Sequence, residues 1–141
     1  MTRREAREAA FQIIFSLTIN DNDVDDVIIM AKESEEFKLD EFAERLIRTT
    51  VRHRAEIDEI FSPYLKGWDL KRISKVSLAI FRLSCAQLFY WNEIDDEPME
   101  DNHRMVINES VQLSKEFGTD VDYIYINGVL GSITHDLIGK G

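Results

Sequence analysis

The stretch "YIYINGVLGSI", Tyr123–Ile133, decides whether this chain contains β-structure. Asn127-Gly128 between apolar residues is a strong short-range signal for a β-hairpin. Helical spacing nevertheless runs through the same segment, at Ile126, Val129, Leu130, Ile133 and Leu137. We predict a helix from Asp122 to about Ile138, because Thr119 and Asp122 form a capping-box pattern at its start. A glycine inside a helix costs roughly 1 kcal/mol relative to alanine, so we expect a packing reason at Gly128, such as a close helix–helix approach.

The sequence before this stretch indicates two further helices. The segment "HRMVINESVQLSKEFG" has helical spacing, and Gly118 is predicted to stop it at the position just past the helix end. A long helix is predicted from about Leu70 to Trp91, with Asp69 as its cap. A polar loop, residues 92–102, joins the two.

The N-terminal half also has helical spacing. Helices are predicted over Arg3–Ile19, over the segment "DNDVDDVIIMAKES", and from Asp40 onward. The third pattern continues to Ser62-Pro63, with a break near His53, and residues 33–38 are predicted to form a loop. The chain is therefore expected to be all-α, with about seven helices and the best internal boundary in "PYLKGWDLKRIS".

Composition restricts the class of protein. A chain of 141 residues is about the size of one domain, and 44% apolar residues indicate a globular one. The single cysteine, Cys85, excludes an internal disulfide and fits a reducing compartment. No apolar run approaches the roughly 18 residues that cross a bilayer, and no signal peptide is visible. We expect a cytoplasmic protein without a membrane partner.

Motifs for catalysis do not stand out. The three histidines lack metal-ligand spacing, and the sequence contains no glycine-rich phosphate loop. Cys85 lies among apolar residues of a predicted helix, where a buried and inert thiol is expected. We therefore expect no enzyme activity, no metal and no cofactor.

The charge is distributed unevenly. The formal net charge is −10, yet residues 21–44 hold ten acids against two lysines, and residues 88–102 hold six acids and no lysine or arginine. Residues 45–54, in contrast, hold four arginines and no acid. Acidity is therefore local, and a basic face is compatible with the composition; the alternative is that the charges only solubilise helices.

The first helix combines basic and aromatic residues. Arg3, Arg4 and Arg7 lie in its first turns, where guanidinium groups favour phosphate, and Phe11 and Phe15 continue the stripe. Single-stranded RNA is commonly recognised by such groups together. The alternative is that the rings belong to the core and the arginines are solvated. We favour the core for Phe11 and leave Phe15 open.

Four segments, "RREAREAAFQIIF", "WDLKRISKVSLAIFRL", "VINESVQLSKEFG" and "YINGVL", occur in this order and together resemble the NusB family of bacterial transcription antitermination factors. The resemblance implies a single all-helical domain of two packed small bundles, about residues 1–67 and 68–141, without catalysis. It also implies binding of boxA RNA together with NusE, the small-subunit ribosomal protein. Such complexes help RNA polymerase, contacted indirectly, to read through terminators, notably in ribosomal RNA operons.

The resemblance also implies which residues bind each partner. Its RNA-binding residues are Arg3, Arg4, Arg7, Phe15 and Tyr125, with Phe15 standing where the motif usually has tyrosine. Its NusE-binding residues are Tyr64, Lys75, Ser77 and Arg82. Asn108, Glu109 and Asn127 also match motif positions and are expected to tie backbones together.

The chain departs from the family pattern in its long helix. Ser77-Leu78 replaces a frequent Asp-Arg pair, and Ala86-Gln87-Leu88 replaces a frequent Tyr-Glu-Leu. Two rival functions stay open: a helical protein-binding adaptor without RNA affinity, and a targeting domain like the one that precedes some ribosomal RNA cytosine methyltransferases. The sequence also leaves open whether the protein is a monomer or a homodimer.

Overall fold

A computed structural model describes residues 1–34, 39–99 and 102–140. Within these ranges the regular secondary structure is entirely helical. The all-α prediction is confirmed. The predicted loop at 33–38 and the end of the predicted loop at 92–102 fall largely outside the described residues. The elements are α1 (Arg3–Ile19), α2 (Val24–Glu33), α3 (Glu41–Arg52), α4 (Arg54–Phe61), a 3₁₀ helix (Ser62–Leu65), α5 (Lys75–Phe89), α6 (Trp91–Ile94), α7 (Asn102–Phe117) and α8 (Asp120–Lys140).

The stretch around Asn127-Gly128 lies inside α8, so the helix prediction was right. The predicted capping box is present: the Thr119 N–H donates to Asp122 Oδ2 at 2.9 Å, and the Asp122 N–H donates to Thr119 Oγ1 at 3.3 Å. The expected packing reason at Gly128 was wrong. This residue is exposed, and a Cβ built there would meet no other atom within 4 Å.

Gly118 ends α7 for a different reason from the one predicted. Only Gly67 among the described glycines has a positive φ, so Gly118 does not need the left-handed region. A Cβ at Gly118 would instead come within 2.9 Å of Asp122 Oδ2 and 3.0 Å of the Ser114 carbonyl oxygen. A glycine is therefore required because the start of α8 lies directly against the end of α7.

Helix α5 is the centre of the molecule. Ten of its fifteen residues are buried, and it packs against α1, α3, α4, α7 and α8. A helix covered on all sides is apolar around its circumference, as this one is. Its predicted start near Leu70 was too early. Asp69 accepts hydrogen bonds from the N–H groups of Lys71 and Arg72 in a separate turn, and Ser74 caps α5 by accepting from the Ser77 N–H at 3.0 Å.

The end of the long predicted helix also differs. The backbone at Tyr90 (φ −132°, ψ 30°) leaves the helical region, so α5 ends at Phe89 and the short helix α6 follows. This break adds one helix to the seven expected. The predicted break near His53 is present and separates α3 from α4.

Both halves of the chain contribute to one core. Helix α1 packs against α3 and α5, while α7 packs against α5 and α8, so α5 connects the two sets. The buried apolar cluster runs from Ala6 in α1 to Ile133 in α8. Among the helices that the structure describes, none is long and apolar enough to cross a membrane.

Candidate nucleic-acid interface

Two arginines project from the first turn of α1. The side chains of Arg3 and Arg4 are 54% and 62% exposed. Arg3 Nη2 lies 3.1 Å from Asp95 Oδ2, and its guanidinium carbon lies 4.1 Å from the centroid of the Phe42 ring. Arg4 donates two hydrogen bonds to Glu109, from Nη2 to Oε1 at 3.2 Å and from Nε to Oε2 at 3.4 Å. This hydrogen bonding raises the pKa of Arg4. The two groups are therefore oriented by surface carboxylates of other helices and loops.

Arg7 is buried, whereas the sequence interpretation placed it on the exposed stripe with Arg4. It is 5% exposed because α3 and α5 pack over this turn of α1. Its Nε donates to Gln87 Oε1 at 2.7 Å, and its guanidinium carbon lies 5.3 Å from the Phe42 ring centroid. Burial lowers the pKa of Arg7. We refer to Arg3, Arg4 and Arg7 together as the arginine cluster.

The phenylalanines of α1 are divided as the sequence suggested. Phe11 is 2% exposed, and its ring lies 4.9 Å from that of Phe117. Phe15 is half-buried and stacks on Phe11 with the ring centroids 6.0 Å apart. Phe11 is thus a core residue, while Phe15 lies at the edge of the core with part of its ring accessible.

The two tyrosines of the predicted sites tie the 3₁₀ helix to α8. The Tyr125 hydroxyl donates to the Leu65 carbonyl oxygen at 3.0 Å, and the ring meets Phe81 edge-on at 5.8 Å. The Tyr64 hydroxyl donates to Asp136 Oδ2 at 2.6 Å, which raises the pKa of Tyr64. Both rings are half-buried, so each combines an internal contact with a partly exposed surface.

The other residues predicted to contact a partner differ in exposure. Lys75 is exposed at the start of α5. Ser77 is 1% exposed and its hydroxyl donates to Asp122 at 2.8 Å, so it does not face solvent as the sequence interpretation assumed. Arg82 donates two bonds of 2.9 Å to Asp58, with the two side chains 13% and 17% exposed. Ser77 and Arg82 therefore act first as ties from α5 to α8 and α4.

A basic groove lies between the end of α1 and the start of α5. Its volume is about 350 Å³, with leucines among its lining residues and with Arg54, Lys71 and Lys75 at its edge. These three side chains are exposed, and none of them has an ion-pair partner among the described residues. The lining also contains the acid Asp21, so the groove of this acidic chain is basic on balance.

Several members of the site were not predicted. Phe42 lies in the predicted helix from Asp40 onward but was not singled out. Gln87 was noted only as a departure from the family pattern, and Asp95 only as part of the acidic segment 88–102. Their partners on α1 are 35 or more residues away in the sequence, so no local spacing relates them. Glu109 was expected to tie backbones together, whereas its hydrogen bonds join its carboxylate to the Arg4 side chain of α1.

Comparison with known proteins agrees with this architecture. The family model described as "NusB family" matches residues 4–135. A curated relative named transcription antitermination protein NusB, from Natranaerobius thermophilus, is 33% identical over 97% of both chains. The protein of the same name from Listeria welshimeri is 37% identical over 94% of this chain and 96% of its own length.

A solved structure extends the comparison to the fold. A crystal structure of the antitermination factors NusB and NusE in complex with double-stranded RNA is similar to this chain with a TM-score of 0.78 and 25% identity. The match covers 93% of this chain and 94% of that one. Sequence motifs, family model, relatives and fold all agree, and the chain belongs to the NusB family.

Proposed function

We propose that this protein is an RNA-binding transcription antitermination factor that acts with NusE on boxA-type RNA and thereby on the RNA polymerase elongation complex. The observation that supports it most directly is the pair of exposed arginines, Arg3 and Arg4, at the start of α1. Membership of the NusB family gives this basic surface its context, because similar proteins are antitermination factors.

The two arginines suit a phosphate backbone because their present partners are exchangeable. Exposed ion pairs contribute only about 0–1 kcal/mol, so a phosphate replaces Asp95 or Glu109 at low cost. Guanidinium groups bind phosphate bidentately, as Arg4 binds Glu109 here. The backbone N–H groups at this helix end are partly occupied, since Thr2 and Glu5 form a capping box. In this proposal the side chains therefore supply most of the phosphate contact.

The aromatic residues have separate roles in the proposal. The accessible part of Phe15 stacks against a base, while its buried part rests on Phe11. Tyr125 offers only the exposed part of its ring, because its hydroxyl holds the 3₁₀ helix. In this proposal Arg7 also belongs to the RNA site, and its charge acts on the RNA from the protein interior.

NusE is proposed to bind near the start of α5. Lys75 is exposed there, and the basic groove adds Arg54 and Lys71. Tyr64 would extend this surface to the other end of α5, since it lines a pocket with Phe89 and Asp136. Ser77 and Arg82 support this surface from below through Asp122 and Asp58. The groove combines leucines with basic groups, and a partner surface with apolar and acidic side chains would complement both.

RNA titrations at several salt concentrations test the proposal, with and without NusE. The double substitution Arg3→Ala/Arg4→Ala should weaken boxA-type RNA binding and reduce the salt slope by up to about 1.4, since each lost phosphate contact on a single strand is worth about 0.7. The matched control is Lys32→Ala/Arg48→Ala, which removes two surface cations that are likewise paired with acids, on α2 and α3. That control should leave the slope nearly unchanged.

The adaptor alternative predicts different results. An adaptor without RNA affinity binds NusE with little dependence on Arg3 or Arg4 and gives no salt-dependent RNA signal under either condition. Equal RNA binding by the wild type and the Arg3→Ala/Arg4→Ala variant, with NusE present, would also reject the site. A loss shared equally by the control variant would show that only net charge matters.

A further inference from the structure

Arg7 differs from the other arginines of its cluster in the charge of its partner. Arg3 and Arg4 each bond a carboxylate, whereas Arg7 bonds the neutral amide of Gln87. Both members of this pair are buried, at 5% and 2% exposure. The three arginines thus share two bonded carboxylates, and Arg7 is the one that bonds none, although the charge of Glu109 also acts on it.

The amide of Gln87 is fixed in the orientation that Arg7 requires. Its Nε2 donates to the Leu83 carbonyl oxygen at 3.2 Å, which leaves Oε1 to accept from Arg7 Nε at 2.7 Å. A carboxylate in the same place would accept an equally good hydrogen bond and would also cancel the charge. The glutamine therefore accepts from the guanidinium Nε without adding a negative charge.

Arg7 lies close enough to Arg3 for its charge to act on ligands at the protein surface. The guanidinium carbons of Arg3 and Arg7 lie 4.1 and 5.3 Å from the centroid of one ring, that of Phe42. A buried charge next to apolar groups is poorly screened by salt, so its field reaches the adjacent surface. A phosphate bound at Arg3 would lie within that field.

We propose that Gln87 is a positioning residue that keeps Arg7 in place without a bonded carboxylate, so that this buried charge strengthens the binding of RNA phosphate at Arg3 and Arg4. This inference rests on the proposed RNA-binding function. In this inference the buried amide of Gln87 contributes to RNA affinity, although neither Gln87 nor Arg7 needs to contact the RNA.

The isosteric substitution Gln87→Glu tests the role of charge separately from that of shape. The dissociation constant for boxA-type RNA should rise about three- to tenfold at low salt, as expected for one unit charge about 8 Å away in a medium of intermediate dielectric constant. The introduced carboxyl still accepts from Arg7 but loses the hydrogen bond to the Leu83 carbonyl oxygen, so melting curves must show that the variant is folded. The matched control is Gln112→Glu, the same change at an exposed position of α7, which should alter affinity less than twofold.

A second variant covers the case in which Gln87→Glu fails to fold. Arg7→Met/Gln87→Leu replaces the buried pair with apolar side chains of similar volume, a type of exchange that proteins often tolerate. It removes the same positive charge and should weaken RNA binding by a similar factor. Melting curves of both variants confirm that the affinities compare folded proteins.

The outcomes separate this inference from the function on which it rests. If the wild type shows no RNA binding, with or without NusE, the proposed function fails. If the wild type binds RNA and folded Gln87→Glu or Arg7→Met/Gln87→Leu binds it equally well, Gln87 is only a packing residue and the inference is overturned. An equal loss in Gln112→Glu would overturn it too, because net charge would then explain the effect.

Discussion

Two arginines form contacts between the central helix α5 and its neighbours, Arg82 of α5 and Arg7 of α1, and their partners differ. On the side toward α4, Arg82 and Asp58 form two bonds of 2.9 Å, and the charges cancel within the pair. On the side toward α1, Arg7 donates to the amide of Gln87 at 2.7 Å, and its charge remains. We call these contacts the neutralised side and the charged side of α5.

The difference shows how one residue type serves two purposes in the same core. Next to the neutralised side, Asp122 of α8 accepts hydrogen bonds from the neutral hydroxyls of Ser74 and Ser77 at 2.6 and 2.8 Å. Carboxylates there fasten α4 and α8 to α5. The charged side lies directly beneath the exposed arginines of α1, where an excess of positive charge favours a polyanion. Stability should therefore depend more on the neutralised side, and RNA affinity more on the charged side.

The largest expected effect comes from breaking the neutralised side. Asp58→Ala leaves the part-buried Arg82 without its counter-charge, and the free energy of unfolding should fall by about 3 kcal/mol, the low end for broken buried pairs, because the two side chains are 13% and 17% exposed. Urea unfolding at neutral pH measures it. Glu59→Ala, one residue away on the exposed side of α4, is the matched control and should change stability by less than about 0.5 kcal/mol. A loss below 1 kcal/mol for Asp58→Ala would show that the pair is not what fastens α4 to α5.

A smaller effect is expected at the junction of α5 and α8. Asp122→Asn weakens the hydrogen bonds from Ser74, Ser77 and Thr119, and the free energy of unfolding should fall by about 2 kcal/mol. Asp120→Asn, at an exposed position in the same first turn of α8, is the control and should have little effect. Equal effects of the two substitutions would point to the helix dipole rather than to the bonds that join α8 to α5.

The contribution of Asp122 to the free energy of unfolding should depend on pH. Burial raises the pKa of Asp122, but hydrogen bonds from Ser74, Thr119 and Ser77 outweigh it, and the net pKa lies below the ordinary value. A lowered folded-state pKa gives stability that is full above the unfolded pKa, about 4, and is lost as pH falls through the folded value. The stability difference between wild type and Asp122→Asn should therefore narrow below about pH 4. A difference that stays constant down to pH 3 would contradict this assignment.

The helices could be predicted from the sequence because their signals are local. The apolar spacing of α8 outweighed the hairpin signal of Asn127-Gly128, and the capping box at Thr119 marked its start. Gly128 was misjudged because a sequence does not show which face of a helix meets solvent. The start of α5 was misplaced because Asp69 and Ser74 are both good caps, and only the structure shows that they begin separate turns.

The candidate site was less predictable because its contacts join distant parts of the chain. The arginines and Phe15 could be found in the sequence, since they share one stripe of α1. The burial of Arg7 could not, because it depends on Gln87 and Phe42 from two other helices. Ser77 was placed on the wrong side of α5 for the same reason: helical spacing alone does not show that Asp122 approaches it.

The smallest change in stability is expected on the charged side of α5, where a substitution should alter RNA affinity instead. Asp95 pairs with Arg3 at the surface, so Asp95→Asn should alter the free energy of unfolding by no more than about 0.5 kcal/mol. RNA binding should nevertheless become about two- to threefold tighter, since the phosphate no longer competes with this carboxylate for Arg3. Glu97→Gln removes the same charge from the same acidic segment, at an exposed side chain without an ion pair among the described residues, and is the control. Equal tightening by both variants would mean that the acidic segment acts through net charge alone. If Asp95→Asn binds RNA no more tightly than the wild type, Arg3 does not contact the RNA. The charge of Arg7 would then strengthen phosphate binding at Arg4 only.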